Sequence, residues 1–173
     1  MHAPSAQDIV GCARQALAQA QAAFDIATRA VAQRCRGAGT GLDADRLDAA
    51  QIASFELAWT SADLLAASAV LRNLAPHATA LDRALALVFV ADAVAAVQAR
   101  LEPIYLDEAL DPAPLHALGA SPAWQSLRQA ATGSIALAAT GQAVADAGPD
   151  AEFGPVVLGE EVAMAQQAFR RFA

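Results

Sequence analysis

The sequence predicts an all-α fold, an antiparallel four-helix bundle with an additional C-terminal helix, on three observations. Alanine fills 49 of the 173 positions and aromatics only 5%, a composition that favours helices packed closely together. Apolar residues recur at helical rather than strand spacing along most of the chain. Clusters of Gly and Pro near 37–43, 74–78, 103–122 and 147–159 then cut that periodicity into segments. The expectation is at least four helices longer than 15 residues, and no sheet of three or more strands. The domain reading is a helical bundle over 1–147, a linker over 148–158, and the start of a following helical, dehydrogenase-like domain over 159–173.

The first helix is predicted from about Gln7 to Arg36. Ile9, Ala13, Ala16, Ala20, Ala23, Ala27 and Val31 form a narrow seam of small residues, flanked by Leu17, Phe24 and Ile26. The stretch RGAGTGLDAD ends it, since three glycines in five residues are costly in a helix. Asp43 or Asp45 caps a second helix running to about Asn73. On it, Ile52, Phe55, Trp59, Ala62, Ala66 and Ala69 make one face, and Leu57, Leu64 and Leu71 a second. A helix apolar on two sides is expected to lie centrally.

The third helix is predicted from about Thr79 to Glu102, with Leu81, Leu85, Val88, Phe89 and Val97 apolar and Pro103 as its stop. A proline-rich stretch follows, with one short helical turn near Leu115. Ser121 as N-cap and Pro122 at the first helical position open the fourth helix, which runs from Ala123 to about Ala147. Gly133 and Gly141 on it point to close approach by a neighbouring backbone. Beyond the linker, GEEVAMAQQAFRRFA begins with Gly159 as N-cap and acids in the first turn. Its stripe is Val162, Ala165, Phe169 and Phe172.

Charge and residue inventory exclude several functions. A net charge of −7 and a pI near 4.7 disfavour nucleic acid, whose phosphates the surface would repel. No lysine is present, which removes Schiff-base chemistry and the P-loop lysine. The N-terminus MHAPSAQDIV has no basic region followed by an apolar one, and the most apolar run, residues 84–97, is interrupted by Asp92. A membrane span needs about 20 apolar residues, so a soluble, cytoplasmic protein is expected. Cys12 and Cys35 fall on one predicted helix, roughly 35 Å apart at about 1.5 Å per residue. They cannot bridge, and are read as free, buried small side chains.

Candidate chemistry is sparse. A di-iron site needs Glu-x-x-His pairs from facing helices. None of His2, His77 or His116 follows a Glu at that spacing, and Glu56 is the only glutamate well inside a predicted bundle helix. Asp63 and Asp92 lie on the two most apolar helices. Burial would make either an acid or base, but an ion pair to Arg72 or Arg83, or a polar edge facing water, is the plainer reading. Glu102, Asp107, Glu108 and Asp111 read as a solvated acidic loop, without the turn glycine of a calcium site. His77 sits at a loop edge, and Trp59 and Trp124 are expected to anchor the core. No catalytic, cofactor-binding or metal residue is assigned.

The closing stretch FGPVVLGEEVAMAQQAFRRFA resembles the first helix of an acyl-CoA dehydrogenase. The segments GLDADRLDAAQIASFELAWTSADLLAASAVL and LDRALALVFVADAVAAVQARL resemble the helical extension that precedes the dehydrogenase core in methylsuccinyl-CoA dehydrogenase-like members. The resemblance implies a non-catalytic N-terminal accessory domain of an FAD-dependent oxidoreductase, with flavin and catalytic glutamate held outside this segment. It also implies that Phe169 and Phe172 pack against the dehydrogenase core. The alternative is a stand-alone helical interaction module in which they pack against a second copy of the chain.

Overall fold

The computed structural model describes residues 6–37, 39, 41–74, 78–148 and 164. Among these the fold is all-α, with seven helices and one isolated bridge between Arg36 and Leu42. Three helices exceed 15 residues, not four. They are α1 (Ala6–Arg34), α3 (Gln51–Asn73) and α4 (Ala80–Asp107). The shorter ones are α2 (Ala44–Ala49), α5 (Ala113–Ala120), α6 (Pro122–Ala131) and α7 (Ser134–Ala147).

The small-residue seam builds the centre. Ile9, Ala13, Ala16, Ala20, Ala23, Ala27 and Val31 are all buried, the five alanines completely. Alanine side chains this short let neighbouring helices approach closely, and α1 accordingly touches α3, α4, α5 and α6. It is therefore α1, rather than the doubly apolar α3, that occupies the middle. On α3 only the leucine line is inside. Leu57, Leu64 and Leu71 are buried, while Ile52, Phe55 and Trp59 are 83%, 60% and 51% exposed. The period placed both faces correctly on the helix, but only one of them meets a neighbour.

Backbone chemistry at the breaks explains three further departures. Asp43, not Asp45, caps α2, its carboxylate accepting from Arg46 N at 3.0 Å. The expected single second helix is interrupted at Ala50, whose backbone (φ −102°, ψ 17°) leaves the helical region. The expected fourth helix divides at Thr132–Gly133, where the Gly133 N–H bonds back to the Arg128 carbonyl at 3.1 Å. A Cβ on Gly133 would lie 2.9 Å from the Gln129 carbonyl oxygen, so glycine is required by the preceding turn of its own chain. Among the described residues, nothing lies within 4 Å of such a Cβ on Gly141, so none of their backbone approaches it there.

Pro103 does not stop α4. Thr79 and Asp82 open that helix with a capping box, and it continues through the proline to Asp107. Pro103 is exposed, and so is Ala99, whose carbonyl would have accepted the missing N–H. Water can reach that carbonyl, while Leu101, Ile104 and Tyr105 on the other side of the same turns are buried. Burial of those three outweighs the local cost of the proline. α7 ends at Gly148, whose φ of 73° and ψ of 177° fall in a region open essentially to glycine alone.

The core joins α1, α3, α4 and α6 through Leu17, Leu64, Val90, Val94, Val97, Leu101, Trp124 and Leu127, with Leu118 of α5 closing one end. α7 rests on α4 and α6 and buries no residue of its own. Of the predicted C-terminal helix only Met164 is described, helical and 59% exposed. Phe169, Phe172 and all of the 148–158 linker beyond Gly148 lie outside the described residues.

Candidate functional site

The two aspartates singled out on apolar helices part company. Asp92 is exposed, the polar edge anticipated for it. Asp63 is ion-paired, but with Arg100 of α4 rather than Arg72 or Arg83. The Arg100 Nη1 donates to Asp63 Oδ2, and its Nε lies 3.4 Å from Glu56 Oε2. Glu56 and Asp63 are seven residues apart, two helical turns on one side of α3. One guanidinium thus ties α4 to both, and each of the three side chains keeps about a third of its surface in water (29%, 33% and 27%). This is a structural tie at the edge of the α3–α4 contact. The seven-residue spacing of the carboxylates was the sequence signal for a shared cation.

The acidic loop is largely helix. Glu102 and Asp107 lie within α4, because that helix outruns Pro103, so Glu56 is not the only glutamate inside a long helix. Glu108 caps its end and pairs with Arg34 of α1 at 2.6 Å, its side chain only 9% exposed. That pair joins the C-terminal ends of α1 and α4. Trp124 is a buried anchor, as expected, with the Arg128 guanidinium 5.7 Å from its ring centre. Trp59 is not. It stands in water, edge-on to Phe55 at 6.1 Å between ring centres. Both cysteines are free. Cys12 is half-buried, and Cys35 is buried with its Sγ donating to the Arg46 carbonyl at 3.6 Å. Cys35 follows α1 rather than lying within it. His2 and His77 lie outside the described residues.

Sequence reasoning missed one concave feature. A groove of about 880 Å³ opens between the C-terminal half of α4 and α5. Its walls are mostly apolar, including Leu106, Leu110 and Leu115, with Gln98, Glu102, Tyr105 and His116 as its polar side chains. A Cβ on Gly119 would lie 3.4 Å from Gln98 Nε2, which fixes how α5 runs back along α4. One turn from that contact on each helix stand Glu102 and His116. Treating Pro103 as a helix stop had placed Glu102 at a helix end and hidden this juxtaposition.

Tyr105 lines the base of α4 in this groove while its hydroxyl is turned to α1. Its hydroxyl donates to the Ala23 carbonyl at 2.9 Å, and the side chain is buried. Burial pushes its pKa above the ordinary tyrosine value. Arg29 acts in the opposite sense and Asp111 adds slightly to the rise.

Among the described residues, no three His, Cys, Asp or Glu side chains gather to hold a metal, and no helix is long and apolar enough to cross a membrane. Comparison with models of known protein families gives no match, and neither does a search of curated proteins.

Proposed function

We propose that this chain is a non-catalytic helical accessory domain that works by packing against another protein body. The observation that carries the reading is the water-facing side of α3, where Ile52, Phe55 and Trp59 follow one another at helical spacing, all more than half exposed. Full burial of a side chain such as Phe is worth about 1.5–3 kcal/mol, so an aligned set of three is a substantial reserve for association. The ion pairs of Arg100 with Glu56 and Asp63, and of Arg34 with Glu108, serve as helix ties, and packing is the property most developed in this fold. The resemblance of the closing stretch to an acyl-CoA dehydrogenase helix supports a flavin-dependent acyl-CoA dehydrogenase as the body, with FAD and the chemistry residing there. On this reading the chain works in the cytoplasm.

The test is co-expression of the chain with an acyl-CoA dehydrogenase core, followed by sedimentation of the wild type and of Phe55→Ser/Trp59→Ser. The accessory-domain reading expects a yellow complex that the double substitution dissociates, and a colourless chain when expressed alone. If the chain instead sediments alone as a dimer, and the substitution yields a monomer, the same face serves a stand-alone dimerisation module. Unchanged sedimentation in both settings overturns the docking role of α3.

A further inference from the structure

We propose that the groove between α4 and α5 binds an amphipathic organic cation, a small molecule with an apolar body and an ammonium head. The volume, about 880 Å³, lies within the range of small-ligand sites, roughly 300–1,000 Å³. The apolar body is accommodated by Leu106, Leu110 and Leu115. The head is specified by what the polar part of the wall offers, which is chiefly acceptors and negative charge.

Three observations converge on that sign. First, Glu102 lines the groove, and among the described residues no arginine does and no ion pair engages Glu102. Second, Pro103 has no N–H to give to the Ala99 carbonyl, and Ala99 is itself in the wall. That carbonyl is left without its helical donor, one turn from Glu102, and suits an N–H of a bound ammonium. Third, the groove flanks the C-terminal end of α4, the negative end of the helix dipole, where the Arg34 guanidinium of α1 is taken up by its pair with Glu108. Glu102 would repel a phosphate or carboxylate head. His116, which lines the same groove, offers a ring nitrogen as a further acceptor.

The site does not depend on the docking role of α3 and is tested separately. The ¹⁵N-labelled chain is titrated at mildly alkaline pH with octylammonium and, in parallel, with octanoate, which has a similar apolar body and the opposite charge. Octylammonium is expected to shift the amides of 98–119 saturably, with an affinity at least about tenfold above that of octanoate, a factor worth about 1.4 kcal/mol. Glu102→Gln is expected to remove the preference between the two heads, and Pro103→Ala, which restores the donor to the Ala99 carbonyl, to weaken octylammonium binding alone. Trp59→Ser is the control and should bind as the wild type does. Equal affinity for the two heads, shifts confined to other helices, unsaturable shifts, or an unaltered preference in Glu102→Gln would each overturn the proposal.

Discussion

The Tyr105 hydroxyl donates to the backbone carbonyl of Ala23, joining α4 to α1 across 82 residues of sequence at 2.9 Å. The ring is buried and the carbonyl belongs to the fully buried seam of α1. Tyr105→Phe keeps the packing and removes the bond. Urea denaturation should show a loss of about 0.5–1.5 kcal/mol with an unchanged slope.

The same residue gives the chain an alkaline sensitivity. Burial raises its pKa in the folded state, so the folded chain holds the phenolic proton more tightly than the unfolded one. The stabilisation is present in full below the ordinary tyrosine pKa of about 10 and is lost as pH rises from there through the folded-state value. Stability measured across that window should fall more steeply for the wild type than for Tyr105→Phe.

Leu101 and Trp59 should respond in opposite ways to truncation. Leu101 is completely buried, and Leu101→Ala should cost about 2–5 kcal/mol through lost burial and the cavity left behind. Trp59→Ser removes a larger side chain from a half-exposed site, and should change the stability of the isolated chain by less than about 1 kcal/mol. A large loss in the second variant would mean that the α3 face is covered in solution.

The Arg100 tie is expected to be weak and salt-dependent. All three groups retain roughly a third of their surface in water, so Asp63→Asn should cost less than about 1 kcal/mol. The cost should shrink as ionic strength rises from low to molar salt, where the Debye length falls to about 3 Å.

Pro103→Ala should stabilise the fold. The residue is exposed within a helix that already continues past it, and alanine returns a backbone hydrogen bond. The gain is bounded by about 3 kcal/mol, the propensity gap in a helix interior, less the entropy that proline removes from the unfolded chain. Thermal unfolding of the two proteins measures it.

The amino-acid sequence by itself determined that the chain is helical, which residues form the seam of its first helix, and which leucines of α3 share a face. These follow from local rules. A period of 3.6 residues fixes which side chains share a face, and runs of alanine permit close approach wherever a neighbour exists. A cap was legible for the same reason at Ser121, where the side-chain oxygen accepts from the backbone N–H three residues on. What only the tertiary structure decided was which of two equally periodic faces of α3 acquires a partner, and whether Pro103 ends its helix. The first depends on contacts from segments distant in sequence, to which periodicity is blind. The second was settled by the burial of Leu101, Ile104 and Tyr105 around the proline, which outweighs a local backbone preference. The groove followed from that second decision, since carrying α4 past Pro103 is what brings Glu102 opposite His116. No spacing in the sequence announces a pairing between one helix and another that returns along it.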